Sequence, residues 1–473
     1  MITFHLLDYI VVILYFAAVV FIGFAFARKT KKDEVDFLLA GRSLTLPLFV
    51  MSLVSTWYGG ILGVGEFSYR YGISNWFLQG VPYYFFAAIF AAFLAKRIRE
   101  TNLVSIPDQL HKAYGRKTAL LGSLLTFILM TPAPYVLMLS VIFQMMFGWT
   151  FFTSVLVTAV VALSYLYFGG FRSDIYTDVF EFIVMFIGFA IILPFAFLKF
   201  GGVQFLQENL PSLHLVWHGG HNPQYIVVWF FIALWTLVDP AFYQRCYAAK
   251  DGKTAQRGIF ISIIFWFIFD MMTSFTGMYA RAALPNLSQP IMAYPQLAEL
   301  ILPPAAKGLF FAGMLATMMS TLNTLGLVSA QTLGRDIFLR LKSNERISNI
   351  EYRISNDNLV TKYTRIGLVV SFIFSVLIAF AIPSVIKIWY TIGTVVIPGL
   401  FVPLITSYFK KLEMKPDYAF FSMLLGWLTS LVWLISGYVV AGGLTKSYPL
   451  GIEPMFPGLL VSISVWYLGR VKK

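Results

Sequence analysis

Apolar blocks, each roughly twenty residues long, recur along the whole chain and are separated by short polar connections. Twenty residues in a helix rise about 30 Å, which is the thickness of the hydrocarbon core of a bilayer. The pattern predicts thirteen spans, at 7–27, 44–66, 76–95, 118–147, 150–168, 178–198, 225–244, 258–280, 308–333, 366–383, 388–408, 418–441 and 451–469. The fold class is therefore an all-α polytopic membrane protein. The first block lacks a small-residue cleavage site and exceeds the length of a signal-peptide core, so it is expected to remain a helix.

Several blocks are interrupted. In 44–66, Gly59-Gly60 follow Ser55–Tyr58 at mid-span. Each glycine costs about 1 kcal/mol relative to alanine inside a helix. The span is predicted to unwind there and expose carbonyls; close packing of helices through small residues is the alternative. In 225–244, Asp239-Pro240 breaks the helix, because proline lacks a donor and disfavours helix just before it. Thr131-Pro132-Ala133-Pro134 and Pro398-Gly399 are read as breaks or as kinks in packed helices. The second and seventh spans lie five apart and cross in opposite directions. That spacing predicts two five-helix inverted repeats, 44–198 and 225–408, each opening with a broken helix. An extra N-terminal helix (7–27) and two C-terminal helices (418–469) complete a single domain, 1–473.

The ninth block carries Ser320, Thr321, Asn323 and Thr324 near its centre. Lipid offers hydroxyls and amides no partner, so this cluster must face protein, water or an ion. It lies level with Ser55–Tyr58. Asp178 opens the sixth span, and an unpaired aspartate there costs about 2.5–3.5 kcal/mol. Two readings stand: pairing with Arg172, or a cation ligand on the cytoplasmic route.

Composition agrees with a membrane protein: 59% of residues are hydrophobic and 12% charged. The net charge of +13 is unevenly placed, with 29 of the 35 basic residues in the connections on one side. By the positive-inside rule that side is cytoplasmic, which puts the N-terminus outside in the plasma (inner) membrane and the C-terminus inside. The basic excess is thus a topology signal, and nucleic acid is not an expected partner; nor is an obligatory protein partner. Cys246 is the single cysteine, which excludes an intramolecular disulfide framework. His214, His218 and His221 share one loop and are read as scattered polar residues rather than a metal site. No nucleophile–base pair stands at one depth, so an enzyme is not expected. Glu66, Asp178, Glu181, Asp239 and Asp270 could pass protons, as a proton-coupled carrier or passive channel would require.

Motifs spread in order over residues 37–336 resemble those of the sodium/solute symporter family, which includes the proline permease and the sodium/sugar symporters. Phe37 to Arg42 resembles F-x-L-A-G-R. Ile106-Pro107-Asp108 with Ala113-Tyr114-Gly115 resembles a proline-acidic segment ending in R-Y-G. Gly169-Gly170 through Thr177-Asp178 resembles G-G-x-x-A-x-x-x-T-D-x-x-Q. Gln244-Arg245 with Ala248-Ala249-Lys250 resembles Q-R-x-x-A-A-K, and the ninth span resembles A-x-M-S-T ending in aspartate near Asp336. The resemblance implies sodium-coupled symport of a small organic solute into the cell by alternating access, with no cofactor beyond the coupling ion. It implies a sodium site with carbonyl ligands from Ser55, Tyr58 and Thr317 and hydroxyl ligands from Ser320 and Thr321. A second sodium, where members have one, maps to Asp178, Asn323 and Thr324. The solute cavity maps to Trp57, Gly59, Gln79, Tyr83, Trp235 and Asp239. Glu181 replaces the glutamine of T-D-x-x-Q. Trp57 stands where the proline permease has aspartate, and Ile61 and Leu62 stand where sugar carriers have polar groups. The fourth span has no arginine at mid-depth.

Overall fold

The computed structural model describes residues 2–30, 33–342, 350–381, 385–440 and 448–471. Part of the connection 334–365, the end of the tenth expected span at 382–383 and Lys446 lie outside them. Among the described residues the chain is helical, with two isolated bridges and no strand. In chain order come α1 (Leu6–Ala27), the short α2 (Glu34–Leu39), then α3 (Leu46–Trp57) and α4 (Ile61–Tyr71). Next are α5 (Ser74–Gln79), α6 (Val81–Ile89), α7 (Ile106–Tyr114), α8 (Arg116–Leu129), α9 (Ala133–Phe147) and α10 (Phe151–Phe200). The second half has α11 (Pro223–Ile232), α12 (Pro240–Ala248), α13 (Gly252–Ala283), α14 (Ala306–Gln331), α15 (Ile350–Ala381) and α16 (Val385–Thr406). The chain closes with α17 (Pro416–Val440) and α18 (Met455–Gly469).

Ten helices among the described residues are long and apolar enough to span a membrane, or eleven when the bent pair α3–α4 counts as one. Helix α10 has 50 residues, about 75 Å at 1.5 Å each, and Gly170 inside it departs from helical geometry at φ +54°. Helix α18 has 15 residues, short of a full crossing. An expected count of thirteen therefore needs α10 divided at Gly170 and α18 included; length and apolarity alone give eleven.

The interruptions follow the local chemistry. Helices α3 and α4 meet at an angle of 61° across Tyr58-Gly59-Gly60. Helix α11 tightens into a 3-10 turn at Ala233–Leu237, and Asp239 turns extended before Pro240 restarts the chain as α12. Proline suits that first helical position because its missing donor would have been unsatisfied there anyway. The fourth expected span parts at Met130–Pro132 into α8 and α9. By contrast α16 runs unbroken through Pro398 and Pro403, so Pro398-Gly399 is not a break.

Helix α14 is the axis of the molecule, buried from Lys307 to Gln331 except for the partly open Leu309. It packs chiefly on α10, and their backbones touch where Gly188 faces Gly313: a Cβ added at Gly188 would lie 2.8 Å from Gly313 Cα. Small residues let membrane helices approach this closely. Gly313→Leu is expected to force α14 from α10 and destabilise the fold by about 1–3 kcal/mol. A melting temperature in detergent that matches the parent protein would refute that contact.

Candidate functional site

Helix α3 ends at Trp57 with Tyr58 as its cap. The last carbonyls of a helix, here those of Ser55 to Tyr58, lack intrahelical donors. Helix α14 brings two hydroxyls to this end. Thr321 Oγ1 donates to the Thr56 carbonyl at 2.7 Å and lies 3.1 Å from that of Thr317. Ser320 Oγ lies 3.0 Å from Ser55 Oγ and donates to Asp178 Oδ1 at 2.6 Å. Ser55, Thr317, Ser320 and Thr321 thus share one buried spot, with Thr56 as a further member. The Tyr58 ring leaves it, its hydroxyl donating to the Trp266 carbonyl at 2.8 Å.

Asp178 is fully buried, and its cationic partner is Arg245 from α12, at 3.0 Å. The alternative pairing with Arg172 does not occur: Arg172 and Asp178 sit six residues apart in one helical stretch, on different faces, and Arg172 pairs with Asp36. Nor is Arg245 a loop charge, as its place after the seventh span suggested; it is 0% exposed. Its guanidinium also donates to Ser52 Oγ (2.9 Å), Thr56 Oγ1 (2.6 Å) and Thr324 Oγ1 (2.9 Å). Thr324 in turn donates to Asp174 Oδ2 at 2.8 Å. Asn323 points elsewhere, its amide donating to the Tyr165 hydroxyl. Glu181 accepts from the Tyr15 hydroxyl at 3.1 Å with one oxygen. Its other oxygen, like Asp174 Oδ1 and Asn323 Oδ1, has no hydrogen-bond partner among the described residues.

On the other side of the break lies an aromatic wall. Trp57 meets Tyr83 edge to face at 5.1 Å between centroids, and Phe242 at 5.5 Å. Tyr135 of α9 and Trp389 of α16 are 5.9 Å apart. The missing side chains of the glycines admit these rings: a Cβ on Gly59 would fall 2.3 Å from Tyr135 and 2.5 Å from Thr321, and one on Gly60 would fall 2.3 Å from Trp389. Gly59 is thus a point of close approach rather than a lining surface. Asp239 Oδ1 caps α12 by accepting from the Ala241 amide at 2.8 Å. Trp235 packs over Gly393. Gln79 ends α5, about one turn before Tyr83.

Comparison with known proteins gives the family and the fold. The profile of the sodium:solute symporter family matches residues 37–426. The chain belongs to the sodium:solute symporter family. Relatives include the sodium/pantothenate symporters of Haemophilus influenzae (27% identical, over 67% of this chain and 69% of that protein) and Escherichia coli (25%, over 94% and 91%). In fold, the symporter is similar to a substrate-bound, outward-open sodium-coupled sialic acid symporter, with a TM-score of 0.79 at 18% identity over 99% of this chain and 97% of that one. It is also similar to a nucleobase-cation-symport-1 family transporter in a closed conformation, with a TM-score of 0.59 at 11% identity over 91% and 94%. All are transporters, and this symporter is a multi-pass protein of the plasma membrane.

A second buried ion network sits at the other end of α14 in this symporter. Arg335 pairs with Glu34 of α2, with Asp336, and in a two-pronged contact with Asp108 of α7 (3.0 and 2.8 Å). Arg340 adds a contact to Asp108 at 2.8 Å. Sequence reasoning missed the roles of Arg245, Thr56, Tyr135 and Trp389. A usable signal existed for Arg245 alone, since an arginine within two turns of a helix break, at the edge of an apolar block, calls for a partner. Arg245→Met is expected to destabilise the symporter by about 3–5 kcal/mol, because it strands the Asp178 charge. The double change with Asp178→Asn should cost clearly less than the sum of the two single changes. Additive losses in a denaturation series would show that the two side chains do not interact.

Proposed function

We propose that this chain is a secondary active transporter carrying a small organic solute into the cell together with sodium. The observation that carries this reading is the meeting of Ser320 and Thr321 with the unwound end of α3, in a chain of the sodium:solute symporter family. The proposed shell comprises the carbonyls of Ser55, Tyr58 and Thr317 and the hydroxyls of Ser320 and Thr321. These are hard oxygens of the kind that bind sodium at broken membrane helices. In the second set, Asp178 and Thr324 already face a fixed cation in Arg245 while Asn323 turns to Tyr165, which favours one sodium per cycle. Solute is proposed to bind beside Trp57, Gln79, Tyr83, Trp235 and Asp239, between the repeats 44–198 and 225–408. The N-terminus is proposed to lie outside and the C-terminus inside, on the strength of the basic-residue asymmetry.

Alternating access then has a physical basis. Sodium would hold α3 against α14 and complete the solute side of the break. The network of Glu34, Asp108, Arg335, Asp336 and Arg340 closes the basic face meanwhile. Loss of sodium to the cytoplasm would free α3 and let that face part. One charge moving through about 100 mV supplies ~2.3 kcal/mol, and a tenfold sodium gradient adds ~1.4 kcal/mol. Together they sustain roughly 500-fold accumulation of an uncharged solute per sodium.

In proteoliposomes, an inward sodium gradient is expected to drive solute accumulation, and a pH gradient in sodium-free buffer is not. The reverse result would establish the proton-coupled alternative, and downhill flux alone would establish the channel. Ser320→Ala with Thr321→Ala should raise the sodium concentration for half-maximal uptake by more than about tenfold, on the scale of one or two lost ion ligands. Unchanged sodium dependence would show that these hydroxyls are not ligands.

A further inference from the structure

The walls around the break carry an unusual balance of groups. Trp57, Tyr83, Tyr135, Trp235 and Trp389 come from five different helical segments, yet all converge here and all stay half-buried, whereas the neighbouring Trp266 is 1% exposed. Tyr83, Tyr135 and Arg245 lie within electrostatic reach of Asp239, which is itself partly buried. The rings and the carboxylate therefore line one region beside the break. That region adjoins the proposed sodium ligands, because Tyr135 and Thr321 both abut the point where a Gly59 side chain would stand.

Arg245 is the described cation within electrostatic reach of Asp239, and it is already committed elsewhere. Arg245, the nearest cation along α12, is consumed by Asp178, Ser52, Thr56 and Thr324. The start of α12 would ordinarily attract an anion. Here Asp239 already takes its first amides: Ala241 donates to the side chain, and Phe242 (3.1 Å) and Tyr243 (3.3 Å) donate to the Asp239 carbonyl. A carboxylate solute would thus meet one like charge, with the nearby cation already paired to Asp178. The faces of tryptophan and tyrosine, in contrast, attract cations, and cages of such rings bind alkylated ammonium groups.

We propose that the solute is a small organic cation with an alkylated ammonium head, held against Trp57, Tyr83, Tyr135, Trp235 and Trp389 with Asp239 as its counter-charge. This rests on the reading of the chain as a sodium-coupled carrier and specifies its substrate class. The charge travels with sodium, so each cycle moves two positive charges inward.

The test is thermal stabilisation of the full-length purified protein in sodium buffer. Choline and tetramethylammonium are expected to raise the melting temperature, while 3,3-dimethyl-1-butanol (choline's shape without its charge) and propionate are not. Asp239→Asn should weaken choline protection by more than about tenfold, as expected for loss of a charge partner in a desolvated site. Asparagine remains a good helix cap, so the fold should survive that change. Trp57→Leu should weaken choline protection as well. Equal protection by choline and its neutral isostere, protection by propionate alone, or undiminished choline affinity in Asp239→Asn would each overturn the proposal. A parallel titration of sodium against potassium without solute keeps the two readings apart. Sodium-specific stabilisation without ammonium binding would leave the symport reading standing and remove this one. Ammonium protection without any sodium effect would do the opposite.

Discussion

The centre of this membrane domain depends on one ion pair that has no water around it, Arg245 with Asp178, both 0% exposed. Removing two charges from water costs several kcal/mol per ion, and the attraction between them repays that only when the remaining donors and acceptors are also satisfied. Here the satisfaction is supplied by hydroxyls: Ser52 and Thr56 from α3, and Ser320 and Thr324 from α14. The carboxylate comes from α10 and the guanidinium from α12. Four helices are thereby fixed relative to one another by groups that lipid could not have satisfied.

That arrangement also decides what the rest of the core is free to do. With Asp178 paired to Arg245, the end of α3 presents its carbonyls and hydroxyls beside a matched pair of charges. The same hydroxyl, Ser320 Oγ, touches both the ion pair and the unwound helix end, so the two are mechanically one unit. The bare backbone of Gly59 and Gly60 then lets aromatic rings come down beside it, and at Gly59 the Tyr135 ring and Thr321 abut the same point. Ion chemistry and aromatic chemistry end up as immediate neighbours.

Much of this was legible in the sequence because its signals are local. Adjacent glycines and an Asp-Pro pair weaken a helix wherever they fall, and hydroxyls at mid-span need partners whatever surrounds them. The apolar blocks likewise announced the membrane-spanning helices, although α10 hides its division in one glycine turn. What could not be read was pairing across the chain. Asp178 and Arg245 are separated by 67 residues, while Arg172 sits only two turns away and looked like the natural partner. Six residues apart in one helical stretch, however, the two side chains point about 120° apart, so helix geometry itself disfavours that pair. Tyr135 and Trp389 were invisible for the same reason: an aromatic residue in an apolar block looks like core until a bare backbone is placed beneath it. Pro398 misled in the other direction, because a packed helix absorbed it without breaking.

The network of Glu34, Asp108, Arg335, Asp336 and Arg340 has a thermal consequence. Its charges are buried while the basic face is closed, and any parting of that face must hydrate them. The hydration of ions loses favour as temperature rises, because it carries a strongly negative entropy. Warming therefore shifts the balance toward the closed face through this cluster, while cooling favours its opening. A latch made of ions behaves in this respect opposite to one made of hydrocarbon, whose grip weakens in the cold.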